Sequence, residues 1–228
     1  MNVMGQKESF IKARQLQLES IINRMINANQ VYYSLLRLNE AKVTHNRLMN
    51  ESVAFFTTVR RSFVQTLFIE TANMFDDDKN SNGIKQLLIK LNEKPKWLDQ
   101  TKPITFYDLK SIDDNKYIGD EVENISILVT TCLAKIDELS GIIANVQAQR
   151  DKFYAHMDKN ADITKFFDDF KVSYEDFGTL LLFNTNTVMS IFEYFYGGTI
   201  SPMILQYKDF ENLIQSAERG FEYIEKGF

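Results

Sequence analysis

The nine residues Arg150-Asp151-Lys152-Phe153-Tyr154-Ala155-His156-Met157-Asp158 hold the chain's strongest candidate for chemistry. Histidine moves protons near neutral pH, and the arginine fork binds phosphate and stabilises charge developing on it. Together they suit work on a phosphodiester. On a regular α-helix Arg150 and His156 lie roughly 120° apart, each about 60° to one side of Phe153, and about 9 Å apart along the axis. Both heads then border one groove without forming a tight pair within one helix. A symmetric homodimer, placing two arginines and two histidines around one cleft, is the more favourable catalytic geometry. The plain alternative is a buried arginine paired with Asp151 or another acid, and a histidine satisfied by the helix end near Asp158. Lys152 and Asp158 read as a solvated flank and a helix-end charge.

Other constellations are weaker. Asp78-Lys79-Asn80-Ser81-Asn82-Gly83 reproduces the first half of a calcium loop, but the twelfth position, which needs a bidentate glutamate, is Ile89, so the segment reads as a turn. His45 is distant from His156, and Cys132 is the sole cysteine. These make a poor transition-metal set, and His45 is expected in a surface or cap role. Arg60-Arg61 read as ordinary surface charge; they could extend a local phosphate-binding patch, but, adjacent on a helix, at most one is expected to face that groove. Phe166, Phe167 and Phe170 are most simply core; an exposed subset would stack bases or cover a dimer partner. Glycine-rich phosphate loops, Gly-x-Ser-x-Gly elbows and His-Glu-x-x-His motifs are absent from the sequence. No cofactor and no metal are expected.

The elements that must position these residues are helices. The 228 residues include only three prolines, Pro95, Pro103 and Pro202, so two stretches of more than about ninety residues are free of helix breakers. A first helix is expected from Phe10 to about Leu48, with Ile11, Leu18, Ile22, Met25, Tyr32 and Leu36 inward. A second runs from Glu51 to Phe75 with Val53, Phe56, Phe63, Leu67, Phe68, Ala72 and Phe75 inward, and a short third carries the stripe Ile84, Leu87, Leu88 and Leu91. The stretch 93–119 holds two prolines and Trp97 and reads as an irregular connector or lid, with a turn of helix after Thr105 in a Thr-x-x-Asp pattern. From near Asp120, Ile125, Val129, Cys132, Ile136, Leu139, Ile143, Val146, Arg150, Phe153 and Met157 follow a 4-3-4-3 spacing over about ten turns. Ser173-Tyr174-Glu175-Asp176 caps a further helix reaching Tyr196, with Phe177, Leu181, Val188, Ile191 and Phe195 inward, and a last helix carries Phe210, Leu213, Ile214, Ala217, Phe221 and Ile224.

The fold class is therefore all-α: one domain over 1–228, a bundle of long antiparallel helices with one irregular connector. The net charge of −5 and isoelectric point near 5.2 exclude a broad phosphate-tracking surface, so any nucleic-acid contact is local. No apolar signal core or membrane-length run is seen, and a cytoplasmic, membrane-free protein is expected.

The string Arg150-Asp151-Lys152-Phe153-Tyr154-Ala155-His156-Met157-Asp158 resembles the Arg-Asp-Lys-x-x-Ala-His-x-Asp form of the HEPN superfamily's phage abortive-infection, AbiU-type branch. Upstream, Ala72-Asn73-Met74-Phe75-Asp76 followed by the Ile84-Lys85-Gln86-Leu87-Leu88 helix is also similar to that branch. The resemblance spans roughly Glu51 to Tyr196, and its specific part is the nine-residue string. It implies a small all-α homodimer acting on RNA as a metal-independent endoribonuclease of a phage-defence or toxin-antitoxin system, with an antitoxin protein as a further partner. In that scheme the substrate's 2′-OH attacks the adjacent phosphate and leaves a cyclic phosphate end. His156 is then the general acid or base, Arg150 binds and stabilises the scissile phosphate, and Asp151 orients Arg150 or the histidine. The alternatives are a non-catalytic HEPN-type interaction or nucleotide-binding module, and a structural bundle in which Arg150 sets helix register.

Overall fold

The protein is seen in a computed structural model that describes residues 3–109, 119–155, 171–201 and 212–219. Helix α1 (Val3–Thr44) is followed by the short α2 (Asn46–Glu51), α3 (Val53–Met74) and α4 (Ile84–Glu93). A 3-10 turn at Pro95–Trp97 leads to strand β1 (Ile104–Tyr107), and β2 (Gly119–Val122) precedes α5 (Ile125–Glu138) and α6 (Ser140–Gln149). A π-helical turn covers Arg150–Ala155, α7 is Tyr174–Tyr196, and residues 212–219 form α8.

On α1 the buried residues Leu18, Ile21, Met25, Ala28, Leu35 and Leu38 recur at helical spacing and make one continuous stripe. The expected set was partly displaced: Leu18 and Met25 are buried, whereas Ile11, Ile22, Tyr32 and Leu36 sit half-buried at the flanks of this stripe. Helix α3 packs along α1, as does α7. Contacts fix their directions. Asn27 donates to Glu70 (3.1 Å) and Gln17 reaches the carbonyl of Gly83 (3.5 Å), so α3 runs antiparallel to α1. Asn29 donates to Thr185 (3.2 Å) and Tyr196 to Glu19 (3.0 Å), so α7 is antiparallel to α1 as well. Hence α3 and α7 run parallel to each other, with Phe68 against Phe177 edge to face at 4.8 Å and Phe75 against Phe183 at 6.2 Å.

The stripes on α4 and along α5 and α6 are buried as expected: Ile84, Leu87, Leu88 and Leu91, then Ile125, Val129, Cys132, Ile136, Leu139, Ile143 and Val146. The long helix is nevertheless shorter and less regular than its spacing predicts. Asp120 lies in β2, and the helix begins after Asn124, whose side chain accepts from the N–H groups of Ser126 (3.0 Å) and Ile127 (3.1 Å). Leu139 interrupts it with ψ near 2°, although backbone bonds Leu139 to Lys135 (3.1 Å) and Ile143 to Leu139 (3.0 Å) carry across the junction.

The fold is predominantly helical, but the connector contains an antiparallel ribbon in which Thr105 pairs with Glu121, so Thr105 is a strand residue and not a helix cap. Its β-branched and aromatic neighbours suit a strand, and α7 supplies the ribbon's missing partners. The N–H groups of Tyr107 and Leu109 donate to Ser190 Oγ and Asn186 Oδ1 (both 3.2 Å), and Lys102 donates to the carbonyls of Glu193 (3.1 Å) and Tyr194 (2.7 Å). The described part of the connector is thus docked on α7, which explains why that helix buries Asn186 and Ser190. Two other expectations reverse. Val53 is exposed at the first turn of α3, where the chain has just left α2, and Leu213 is exposed because Ile214 takes the inward position. Phe153, Met157, Phe166, Phe167, Phe170, Phe210, Phe221 and Ile224 carry expectations that lie outside the described side chains. Among the described residues no helix is long and apolar enough to cross a membrane.

Helix α7 starts with a capping box: Ser173 Oγ accepts from Asp176 N (3.1 Å), and the Asp176 carboxylate accepts from Ser173 N (2.7 Å). It ends at Gly197, whose φ of 72° is the left-handed region glycine adopts without penalty. Ser173→Ala is expected to lower stability by about 1 kcal/mol, read as a shift in the urea midpoint; an unchanged midpoint contradicts the cap.

Candidate functional site

Arg150 stands where α6 gives way to the π turn, directly after the buried Gln149. Its guanidinium is mostly enclosed, with 17% of the side chain exposed. Nε donates to Asp151 Oδ1 at 2.7 Å, and Nη1 donates to both Asn73 Oδ1 and Asp76 Oδ2 at 3.2 Å. Burial opposes charge on this arginine, and the hydrogen bonds and charges of Asp151 and then Asp76 more than offset it, so its pKa moves up from an already high value. The result is an always-protonated fork held by three residues. Among the described residues the hydrogen bonds of this fork run through Nε and Nη1.

Asn73 lies in the last turn of α3, and Asp76 opens the loop that follows. That loop is braced from several sides. Gln147 donates to the carbonyl of Phe75 (3.0 Å), Gln86 to that of Asp77 (3.2 Å), and Lys85 forms an ion pair with Asp77. Within the loop, Asp76 and Asp78 accept from the N–H groups of Asp78 (3.1 Å) and Asn80 (2.9 Å), and Ser81 Oγ accepts from Gly83 N (3.1 Å). The oxygens of the calcium-like spacing therefore cap the loop's own backbone, in keeping with its reading as a turn. Among the described residues no group of three or more histidine, cysteine or acidic side chains is arranged to hold a metal ion. Gly83 closes the loop against α3. A side chain there would place its Cβ 2.4 Å from the Met74 carbonyl oxygen and 2.6 Å from that of Asn73, so only glycine fits.

Of the three expected site residues, the structure places Arg150 and Asp151 together, while His156 lies outside the described residues. Asp151 is 59% exposed and meets Arg150 as its immediate neighbour. The stretch Arg150–Ala155 is a π turn, whose wider ring links residues five apart, and such turns recur at functional sites. Sequence reasoning assigned no role to Asn73 and Asp76, although the string containing them was part of the resemblance.

The remaining candidates fall elsewhere. His45 precedes α2 without capping it and instead meets Glu218 of α8, Nδ1 to Oε2, at 2.5 Å. Cys132 is buried against Thr187, and burial pushes its thiol up to about 11, so it is no nucleophile near neutral pH. Arg60 and Arg61 are exposed, and both border a cavity beside α3 that Arg150 does not line. Neighbours on a helix are rotated by roughly 100°, and this opening is broad enough to span that angle.

Gly83→Ala is expected to destabilise the protein by about 1 to 3 kcal/mol, since the loop must move to admit the methyl group; an unaltered urea midpoint contradicts the close contact.

A family model for HEPN-type AbiU2 proteins matches residues 11–213 of the chain. No curated protein matches the chain, and no solved structure does.

Proposed function

We propose that this chain, which belongs to the AbiU2 family of HEPN-like abortive-infection proteins, is a cytoplasmic, metal-independent endoribonuclease acting as a homodimer. The observation that carries the reading is the meeting of Arg150 with Asn73 and Asp76. It joins the two sequence strings that resemble the abortive-infection branch into one half-buried, charge-bearing site. Asp76 and Asn73 fix the guanidinium from one side and Asp151 from another, so it meets the scissile phosphate without first being ordered. The substrate's 2′-oxygen bonds to phosphorus as its proton passes to a base, and the 5′-oxygen leaves as it gains a proton. The products are a 2′,3′-cyclic phosphate and a free 5′-hydroxyl. His156 supplies the proton transfers, and Arg150 balances the charge growing on the non-bridging oxygens. A partner copy contributes the second arginine and histidine, and an antitoxin protein would restrain the dimer.

A second reading has its own support. Two carboxylates on Arg150 offset its charge, and the whole chain carries −5, which suits a non-catalytic interaction or nucleotide-binding module. One experiment separates the two. Structured RNA is incubated in EDTA with wild type, Arg150→Ala and His156→Ala, and the fragments and their ends are read. The ribonuclease reading expects cyclic-phosphate ends from wild type and at least about a hundredfold loss in each variant. Full activity in His156→Ala contradicts the assigned chemistry, and no cleavage by wild type favours the binding module.

A further inference from the structure

Two adjoining cavities, of about 690 and 450 Å³, lie beside α3. Arg60 and Val64 line both, so the two form one trough. The larger part has an aliphatic floor that includes Leu38, Met49 and Val53, with Lys42, Arg60 and Arg61 along it. The smaller part adds Lys171 and reaches Gln149, the residue before Arg150. Among the described lining residues four are cations and none is a carboxylate, although the chain as a whole is acidic. Four cations elsewhere have a carboxylate beside them: Arg37 has Glu40, Arg47 has Glu51, Lys85 has Asp77 and Lys135 has Glu138. Lys42, Arg60, Arg61 and Lys171 form no ion pair among the described residues. Like charges gathered along a partly apolar trough raise its potential and attract a polyanion.

We propose that this trough binds a single-stranded segment of RNA, holding its phosphates on the four cations and its bases against the apolar floor. The proposal rests on the ribonuclease reading for its direction, since it leads the strand toward Arg150. Along α3, Arg60 and Asn73 are separated by about 20 Å, a distance that several nucleotides cover. The strand must be single, because a duplex keeps its base faces stacked and offers an apolar floor nothing to contact. Asn39, Asn46, Asn50 and Thr57 line the same cavity and give amide and hydroxyl partners for base edges and the 2′-OH.

The test is fluorescence anisotropy with a labelled single-stranded RNA of about twelve nucleotides and a duplex of the same sequence, over a range of salt. The proteins are wild type, the triple variant Lys42→Gln/Arg60→Gln/Arg61→Gln, and Lys171→Gln. All four positions are exposed, and unchanged circular-dichroism melting confirms that the variants fold. The expected result is a preference of wild type for the single strand. The triple variant should lose at least tenfold in affinity, with the salt slope reduced by about 0.7 for each phosphate contact removed. Lys171→Gln should show a smaller loss of the same kind. Equal affinity in wild type and triple variant, equal binding of duplex, or no RNA binding by wild type each overturns the trough. Cleavage assays on Arg150→Ala run alongside keep the two ideas apart: binding lost in the triple variant while Arg150→Ala still cleaves leaves the trough standing and removes the catalytic assignment.

Discussion

A guanidinium with only 17% of its side chain exposed must have its charge compensated where it sits, and that requirement organises this end of the protein. Arg150 meets it by reaching across 77 and 74 residues of sequence to Asn73 and Asp76, and by turning Nε to its neighbour Asp151. An exposed pair of this kind contributes little to stability. Here the geometry is shared among three acceptors, Asp151 beside it, Asn73 at the end of α3 and Asp76 on the braced loop, and its larger consequence is orientation. The loop depends on Gly83 lying almost against the α3 backbone, and the carbonyl of Phe75, the residue that follows α3, is held by Gln147, one turn before the arginine. Fold and site are therefore one set of contacts, made where α3, α4 and α6 converge.

The interior along α7 shows how buried polar groups are used. Helix α7 buries Asn184 to Thr187 and Ser190, which a purely apolar stripe would exclude. Asn186 and Ser190 take up backbone N–H groups of the docked connector, Thr185 takes Asn29 of α1, and Thr187 meets Cys132 of α5. These directional contacts select one register among helices whose apolar faces could slide. They also anchor β1 through its backbone, so the ribbon does not depend on its own four-residue strands for stability.

The parts legible in the sequence are those governed by one local rule. Ile84, Leu87, Leu88 and Leu91, and the seven residues from Ile125 to Val146, repeat at helical spacing and are all buried. Ser173 and Asp176 announce the start of α7 by type and spacing alone. The parts that escaped depend on distant partners. Thr105 belongs to a cap pattern and to a strand pattern at once, and its pairing with Glu121 across the connector decided between them. The π turn at Arg150 leaves no mark in residue types. Arg150 stood out in its helix stripe, but nothing in spacing says that its acceptors sit 74 and 77 residues earlier. Arg60 and Arg61 share a groove because α1 and α2 leave a wide opening beside α3, a dimension that helix periodicity does not contain.

The site depends most directly on Asp76 holding Arg150. A double-mutant cycle measures it directly, with urea unfolding of wild type, Asp76→Asn, Arg150→Met and the double variant. With the pair intact in the native state, the two changes are expected not to be additive, with a coupling of at least about 0.5 kcal/mol favouring the native pair. Additivity within about 0.3 kcal/mol would mean that Arg150 lies beside Asp76 without being held by it.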